Sequence, residues 1–539
     1  MTDPQSILWY LPLLLYAETH YRFRFFFSYL KKNEPEVLAD APHRIEPDTP
    51  LPLLVLAKDA HRYPCTLQNV QVEIRQGSRI EIRENVLETS QALDQPLWWQ
   101  IIPLDVVEWI GWIELTVLLT IERQGKVGTY SSDNHRTSSG RPLRVFVSEN
   151  PLPRFANLYL GDAHTHSSYT DDQVEFGSPM KPALELCRSM GLSFFCATDH
   201  SYDLDDHAHT YLANHPELPK WKAFQKEVDG LNQGTEGFAV VRGEEVSCRN
   251  GSGKNVHLLL YGTRQFFPGS GDGAERWLRT RSEYSIPEVI QQKGANVAAY
   301  AAHAREYVPY LQRLLLGRGT WLDQDLQTDG LEGVQFSNGK MDEGFRNGKE
   351  AWVRALLRGK KLFAVAGNDA HGNFNRFRQI GVPFLLMKEA NEQLFGKMRT
   401  GVFLQRALTE ASVVEALRDG NAIVSDGPVV DAKLVTSDGT ITSFGGTARG
   451  SEAQLRFTAL SSQDYGQIIA LRVLLGEIQS SGEKTVVSFN DRMGFEVEKE
   501  VSIRPRGPCY VRIEVETSRE NLLDQHPHWC YTNPILIYP

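Results

Sequence analysis

"GDAHTHSSYTDD", residues 161–172, follows a short apolar run and packs His164, His166, Asp171 and Asp172 into nine residues. Two imidazoles two residues apart at the end of a strand-length run, with carboxylates close behind, suit a metal site or a polar turn, and the recurrence of such donors at the ends of later strands, in order, decides for the metal. The stretch reads as the first part of a metal site. Outward from it, between about residues 156 and 425, runs of strand length alternate with helical stretches. Seven strand candidates stand out, "NLYLGDA", "SFFCATD", "FAVVRGEE", "VHLLLYG", "NVAAYAA", "EGVQFS" and "LFAVAGND", and among them lie helical stretches such as "KPALELCRSMG", "WKAFQKEVDGLN" and "RNGKEAWVRALLRGK". Such alternation implies a parallel sheet or a barrel.

The residues at the carboxyl ends of these strands carry the chemistry. The first ends in His164, His166 and Asp171, the second in Asp199 and His200, and the third in Glu244 and Glu245. The fifth ends in His303 and the seventh in Asp369 and His371. In α/β barrels the reacting side chains project from the carboxyl ends of the strands, so this order converges them on one rim. His257, at the start of the fourth run, departs from that rule. His164, His166, Asp171, His200, Glu245, His257, His303, Asp369 and His371 are nitrogen and oxygen donors without a thiolate, a mixture that suits Zn, Mn or Fe. With about four to six positions per ion, some left to water, nine donors serve two or three divalent ions. A second His-x-His pair, His207 and His209, reads as a loop feature.

The flanks have a different texture. Up to about residue 155, short alternating runs such as "VQVEI" and "IELTVLLTIERQ" are separated by turn-rich stretches, which is β-sandwich spacing. The β pattern returns after "RDGNAIVSDGP". The expected organisation is therefore a β-sandwich-like domain over 1–155, a central α/β barrel domain over 156–428 and a second β-sandwich-like domain over 429–539. A chain of 539 residues is too long for one core, which supports such a division.

Composition narrows the functional classes. Lys and Arg number 57 against 67 Asp and Glu, a formal charge of −10, and no dense basic cluster appears. That balance speaks against a nucleic-acid partner, which needs phosphate neutralisation. The six cysteines are scattered, with no Cys-x-x-Cys, and read as reduced thiols of a cytoplasmic protein. The apolar stretch "SILWYLPLLLYAETHYRFRFFF" is broken by Pro12 and lacks a basic leader and a cleavage site, so it reads as a buried strand or two and not as a membrane anchor. There is no GxxxxGK[ST] and no GxSxG.

The ordered set "GDAHTHSSYTDD", "CATDH", "GEEVS", "VHLLLYG", "AAHARE" and "AGNDAHG" resembles the successive motifs of the PHP (polymerase and histidinol phosphatase) superfamily of metal-dependent phosphoesterases, over residues 156 to 375. The helix and "RDGNAIVSDGP" beyond it are similar to the group that includes carbaryl-type carbamate hydrolases. The resemblance implies a distorted seven-stranded (β/α) barrel holding up to three metals. It places one ion among His164, His166, Glu245 and Asp369, with Glu245 bridging to a second held by His257 and His303. A third falls to Asp171, His200 and His371. Glu245 is chosen over Glu244 by the family's Gly-x-Glu pattern, and Asp171 over Asp172 by its spacing from His166. Ala304 stands where many members have Pro and Asn368 where Ser is common, and neither change removes a ligand.

The chemistry expected is hydrolysis of a small phosphoester by hydroxide generated between metal ions. Asp369 and His371 are ligands first and proton-transfer candidates second. Asp199 either orients the His200 imidazole or caps a turn. Arg305, Arg376 and Arg378 are candidates to clamp an anionic small-molecule substrate, and Asn338 is a comparable pocket candidate. The rival enzyme reading is a carbamate or carboxylic ester hydrolase on the same metals. A PHP-type exonuclease is disfavoured by the acidic balance, and a non-catalytic binding protein by the complete donor set.

Overall fold

The computed structural model describes residues 34–135, 140–171, 177–207, 210–273, 280–376, 379–382, 385–388, 393–520 and 527–539. The N-terminal apolar stretch, Asp172, His209 and Arg378 lie outside these residues. The chain forms two compact units. One takes in the chain up to Pro151 with Ser178–Gly191 and Gly372–Phe395, and the other Leu152–Gly177, Leu192–His371 and Gly396–Pro539.

The first unit packs two sheets around one core. Strands β1 (Glu36–Asp40), β2 (Leu51–Lys58) and β4 (Leu97–Leu104) form one sheet, with β2 in the middle. In the other, β5 (Gly111–Arg123) lies between β3 (Cys65–Gln76) and β7 (Leu143–Val147), with β6 (Lys126–Ser131) also on β5. Alternation in β3 and β5 sends Val70, Val72 and Ile74 and Ile113, Leu115 and Val117 inward, against Leu53 and Val55 of β2. Helix α1 (Met180–Ser189) belongs to this unit and packs on β2 and β4.

In the second unit, strands form at all seven stretches singled out in the sequence: β8 (Leu158–His166), β9 (Phe194–Ala197), β10 (Ala239–Arg249), β11 (Asn255–Tyr261), β12 (Ala298–Ala301), β13 (Gly333–Asn338) and β14 (Phe363–Gly367). A two-residue strand, β15 (Ala370–His371), pairs with β8. Their arrangement differs from the expected one. The sheet order is β14-β13-β12-β11-β10-β9-β8, then β16 (Arg399–Phe403), β17 (Ala422–Ser425), β20 (Pro527–Thr532), β19 (Cys509–Glu520) and β18 (Ile468–Glu477), within one sixteen-stranded sheet. The pairs β10–β11 and β11–β12 are antiparallel, as are those from β8 through β16 and β17 to β20.

A distorted seven-stranded (β/α) barrel between two separate β-sandwiches is therefore not the architecture. Strand makes up 44% of the described residues and helix 15%. Two physical causes are visible. Only Asn250–Lys254 separate β10 from β11, too few for the crossover that a parallel pair requires. The Asn250 side chain instead accepts from the Ser252 and Lys254 backbone N–H groups and closes a tight turn. The edge of β17 is covered by β20, with Ile423 opposite Thr532 and Ser425 opposite Cys530, so the C-terminal strands extend the central sheet.

Helices cover this sheet where sequence pattern and caps allow, the first being α2 (Pro219–Gly234), which packs on β10 with Trp221, Phe224 and Val228 buried. In α3 (Glu343–Leu357) the Asp342 carboxylate accepts from Phe345 N–H, and Phe345, Trp352 and Leu356 turn one apolar face to the core. Gly348 lets that face approach β13, since a Cβ there would lie 2.8 Å from Phe336 Cβ. Helix α4 (Glu410–Asp419) begins with a Thr409–Ser412 capping box and ends at Gly420 with φ +75°. No helix among the described residues is long and apolar enough to cross a membrane, and all six cysteines are buried and unbridged.

Candidate metal centre

Backbone pairing assembles the donors. β15 runs parallel to β8 with His166 opposite His371, and the two imidazoles stack at 4.1 Å. An isolated parallel bridge sets His200 beside Glu245. His257 is explained by the β10–β11 hairpin. Ser247 lies opposite His257, and Glu245 is two residues away on the same face, so the start of β11 meets the functional end of β10. Two donors sit on strained backbone, His303 with φ +26° and Asp369 with φ +53°. Asp369 N–H donates to His164 O at 2.9 Å and pins the second of these turns to β8. Gly367 permits the approach, because a Cβ there would sit 2.4 Å from His164 Cβ.

Three overlapping groups of donors result: His164, His166, Glu245 and Asp369; His200, Glu245 and His257; and His166, His200 and His371. A fourth joins His303, Glu306 and Asp369. Glu245 is the shared centre. Its Oε2 lies 3.2 Å from His164 Nε2, 3.3 Å from His166 Nε2 and 3.0 Å from His200 Nδ1, while Oε1 faces His257 Nδ1 at 2.7 Å and His303 Nε2 at 3.1 Å. Asp369 Oδ1 is 3.0 Å from His166 Nε2 and 3.3 Å from His164 Nε2. Glu244, on the opposite face of β10, accepts from Ser201 Oγ and Phe267 N–H instead.

The donor set fits a cation. His164 Nε2, His200 Nδ1 and Glu245 Oε2 are buried with no hydrogen-bond partner among the described residues, although Glu245 Oε2 lies 3.2 Å from the first nitrogen and 3.0 Å from the second. Ligands held at about 2.0–2.2 Å around one ion are separated by roughly 2.9–3.5 Å. The outward ring nitrogens are tied back, which sets the tautomers. His164 Nδ1 donates to Gln335 Oε1 at 2.8 Å, His371 Nδ1 to the Asp369 carbonyl at 3.0 Å, and His257 Nε2 to Asp272 at 2.8 Å. His166 Nδ1 lies 3.3 Å from the Thr170 hydroxyl, which itself donates to Asp199.

Electrostatics agree with a shared charge. Burial raises the Glu245 carboxyl, but His257, His164 and His200 outweigh it and hold it well below the usual range. Burial works against charge on His164 as well, yet Glu245 and Asp369 lift it to about 9. His200 falls to about 4, through burial and the neighbouring His166.

Eight of the nine expected ligands meet here. Asp171 is absent from these groups; its charge is felt by Asp206, and His166 completes the group with His200 and His371. Asp199 does not face the His200 ring. It accepts from Ser167 and Thr170, backbone and hydroxyl alike, and holds the turn behind the ligands. Arg305 is paired with Asp323, and Asn338 donates to Glu306 at 3.0 Å. Arg376 belongs to the other unit, where its backbone N–H donates to Asp40. His207 lies exposed at a two-residue strand.

Sequence reading missed Gln335, Asp272 and Arg318. Gln335 accepts from both His164 and the His303 backbone, and a lone amide inside the apolar run "EGVQFS" was its signal. Asp272 sits in the turn-like "GSGDG", which signals nothing. Arg318 Nε lies 3.0 Å from Asp272, and its Nη2 is 3.3 Å from the His257 ring.

No protein-family model matches the chain, and no curated protein matches it. Among solved structures, it is similar to a β-D-mannosidase from Dictyoglomus thermophilum at 8% identity and TM-score 0.23, covering 92% of this chain and 66% of that one. A β-glucuronidase from Parabacteroides merdae matches at 9% identity and TM-score 0.17, over 93% of this chain and 63% of the other. An Escherichia coli α-2-macroglobulin fragment, from domain MG7 to the C-terminus, gives 9% and 0.18, over 94% and 100%. Likenesses this low carry no argument about fold or function.

Proposed function

We propose that the protein is a metal-dependent hydrolase of a small anionic phosphoester. The observation that carries this reading is the convergence of buried imidazole and carboxylate atoms on Glu245, with their outward nitrogens tied to Gln335, Asp272 and the Asp369 carbonyl. The likeness of the motifs to those of the PHP superfamily supports it. Two or three ions of Zn, Mn or Fe type would supply hydroxide near neutral pH and neutralise charge developing on the substrate.

The chain's own residues do the rest. Glu245 offers one oxygen to the His164, His166 and His200 side and the other to the His257 and His303 side, the geometry of a bridging carboxylate. Asp272 keeps the proton on His257 Nε2 and its lone pair inward, and Gln335 does the same for His164 through Nδ1. Arg318, paired through Nε with Asp272 and touching the His257 ring with Nη2, is partly exposed, so an anionic substrate would meet the part of its guanidinium that the pair leaves open.

A specific observation favours a second reading, hydrolysis of a neutral carbamate or carboxylic ester. Arg305 and Asn338 are occupied by Asp323 and Glu306, which removes two anion contacts from the pocket. The test is turnover of phosphomonoesters, phosphodiesters, aryl esters and aryl carbamates with added Mn or Zn. Phosphoester turnover that chelator abolishes supports the first reading. Faster turnover of neutral esters replaces it with the second, and no chelator-sensitive turnover of any member rejects both.

A further inference from the structure

We propose that Glu36, Asp133 and His135, in the first unit, form a second divalent-cation site of structural type, separate from the centre built on Glu245. Their ligand atoms all lie within 4.8 Å of one another. Glu36 and His135 are each 5% exposed. The observation that points to a ligand is His135. Both of its ring nitrogens are buried with no hydrogen-bond partner among the described residues, although Nδ1 lies 3.5 Å from Glu36 Oε2. Asp133 repeats the pattern. Its Oδ1 accepts from the His135 backbone at 2.6 Å, while its Oδ2 is buried without a hydrogen-bond partner among the described residues.

The three residues are held by a rigid frame. Asp133 bridges to Leu38 of β1, Ala39 N–H donates to Ser132 O at 2.8 Å, and Asn134 N–H donates to Val37 O at 3.2 Å. The Asn134 side chain accepts from Val37 N–H and donates to Pro35 O. The turn after β6 is thereby fixed against β1, so an ion here would fasten the two sheets of the unit to each other. Charge favours a cation. The group brings two carboxylates, Glu36 and Asp133, against one imidazole. Arg376 is the neighbouring cation, and its Nε lies 3.9 Å from Asp40. One imidazole with two carboxylates is a donor set for Zn or Mn that supplies three of the four positions of a tetrahedral ion, and its place inside the packed frame, away from the centre on Glu245, gives it a structural role.

The rival is an imidazolium at His135 paired with Glu36 alone. The two are separated by metal content of the intact protein after loading with zinc and gel filtration, in the natural chain and in a His164→Ala, His166→Ala, Asp369→Asn background that weakens the central site. Glu36→Gln and His135→Phe should each remove one ion per chain in both backgrounds. Unchanged content in either background overturns the proposal. If His135→Phe does not fold, Glu36→Gln decides through thermal unfolding in the central-site background. Added zinc should raise the midpoint, and Glu36→Gln should abolish that rise; an equal rise in both overturns the proposal.

Discussion

At the scale of single residues, the centre depends on groups that touch no substrate. Gln335 holds the His164 ring and the His303 backbone with one carbonyl oxygen, so Gln335→Leu should free both while leaving the apolar strand intact. Loss of such a supporting contact commonly costs about ten- to a hundred-fold in metal affinity or activity. Competition titration with a chromophoric chelator measures it, and an unchanged affinity would show that the contact is incidental. Asp272→Asn tests the His257 tautomer in the same way. Gly367→Ala is the steric counterpart: its Cβ would be driven into His164, and metal loading should fall with little change in strand content by circular dichroism. By contrast His207→Ala, at an exposed position, should leave turnover within about two-fold of the natural chain, because a solvated side chain away from the centre contributes little to either state.

At the scale of elements, the hairpin linking β10 to β11 decides where His257 points, and the short strand pair that begins at Asp206 carries a pH dependence. Asp206 begins a two-residue strand, and burial raises its carboxyl to about 8, with Lys220 at 3.6 Å opposing and Asp205 and Asp171 adding to the shift. The folded state keeps this proton at pH values where the unfolded chain has already released it. Asp206 therefore withdraws stability as pH rises from about 4 to about 8. Asp206→Asn should flatten that slope, giving a gain on the order of 1–3 kcal/mol at pH 8 that disappears near pH 4. Urea unfolding at the two pH values measures the difference. A gain independent of pH would place the effect in packing.

At the scale of the whole molecule, the C-terminal strands belong to the unit that carries the centre. Trp529 and Tyr531 of β20 pack against Phe345 of α3 and join the core shared with β11 and β13. Truncation at the expected boundary near 429 should therefore unfold the second unit and not trim a separate domain. Limited proteolysis should release no stable fragment of 429–539, and its isolation as a folded piece would contradict the shared sheet. Trp529→Ala should cost about 3–5 kcal/mol by opening a cavity in that core. Loading the centre should act on the same unit, since a ligand that binds only the folded state stabilises it by about 2.7 kcal/mol at a hundred times its dissociation constant.

Strand positions and donor identities were legible in the sequence because both are local. A run such as "SFFCATDH" declares its burial by its apolar composition and its donors by the Asp and His at its end, and the ligands of β8, β9, β12 and β14 fall at the strand ends where the sequence puts them, whereas β10 runs on past Glu245 to Arg249. The Asn-Gly turn at Asn250 and Gly251 is legible too, and the hairpin it closes leaves no room for a crossover helix between β10 and β11. Other features were settled only by the folded chain. Whether β17 ends a domain or takes a partner depends on strands a hundred residues away. Asp171, a donor by type, lies outside the groups, while Gln335 and Asp272 become supports of the imidazoles because folding sets them behind the rings. Side-chain type is written in the sequence; which lone pairs share one point in space depends on long-range pairing, which single-residue chemistry does not encode.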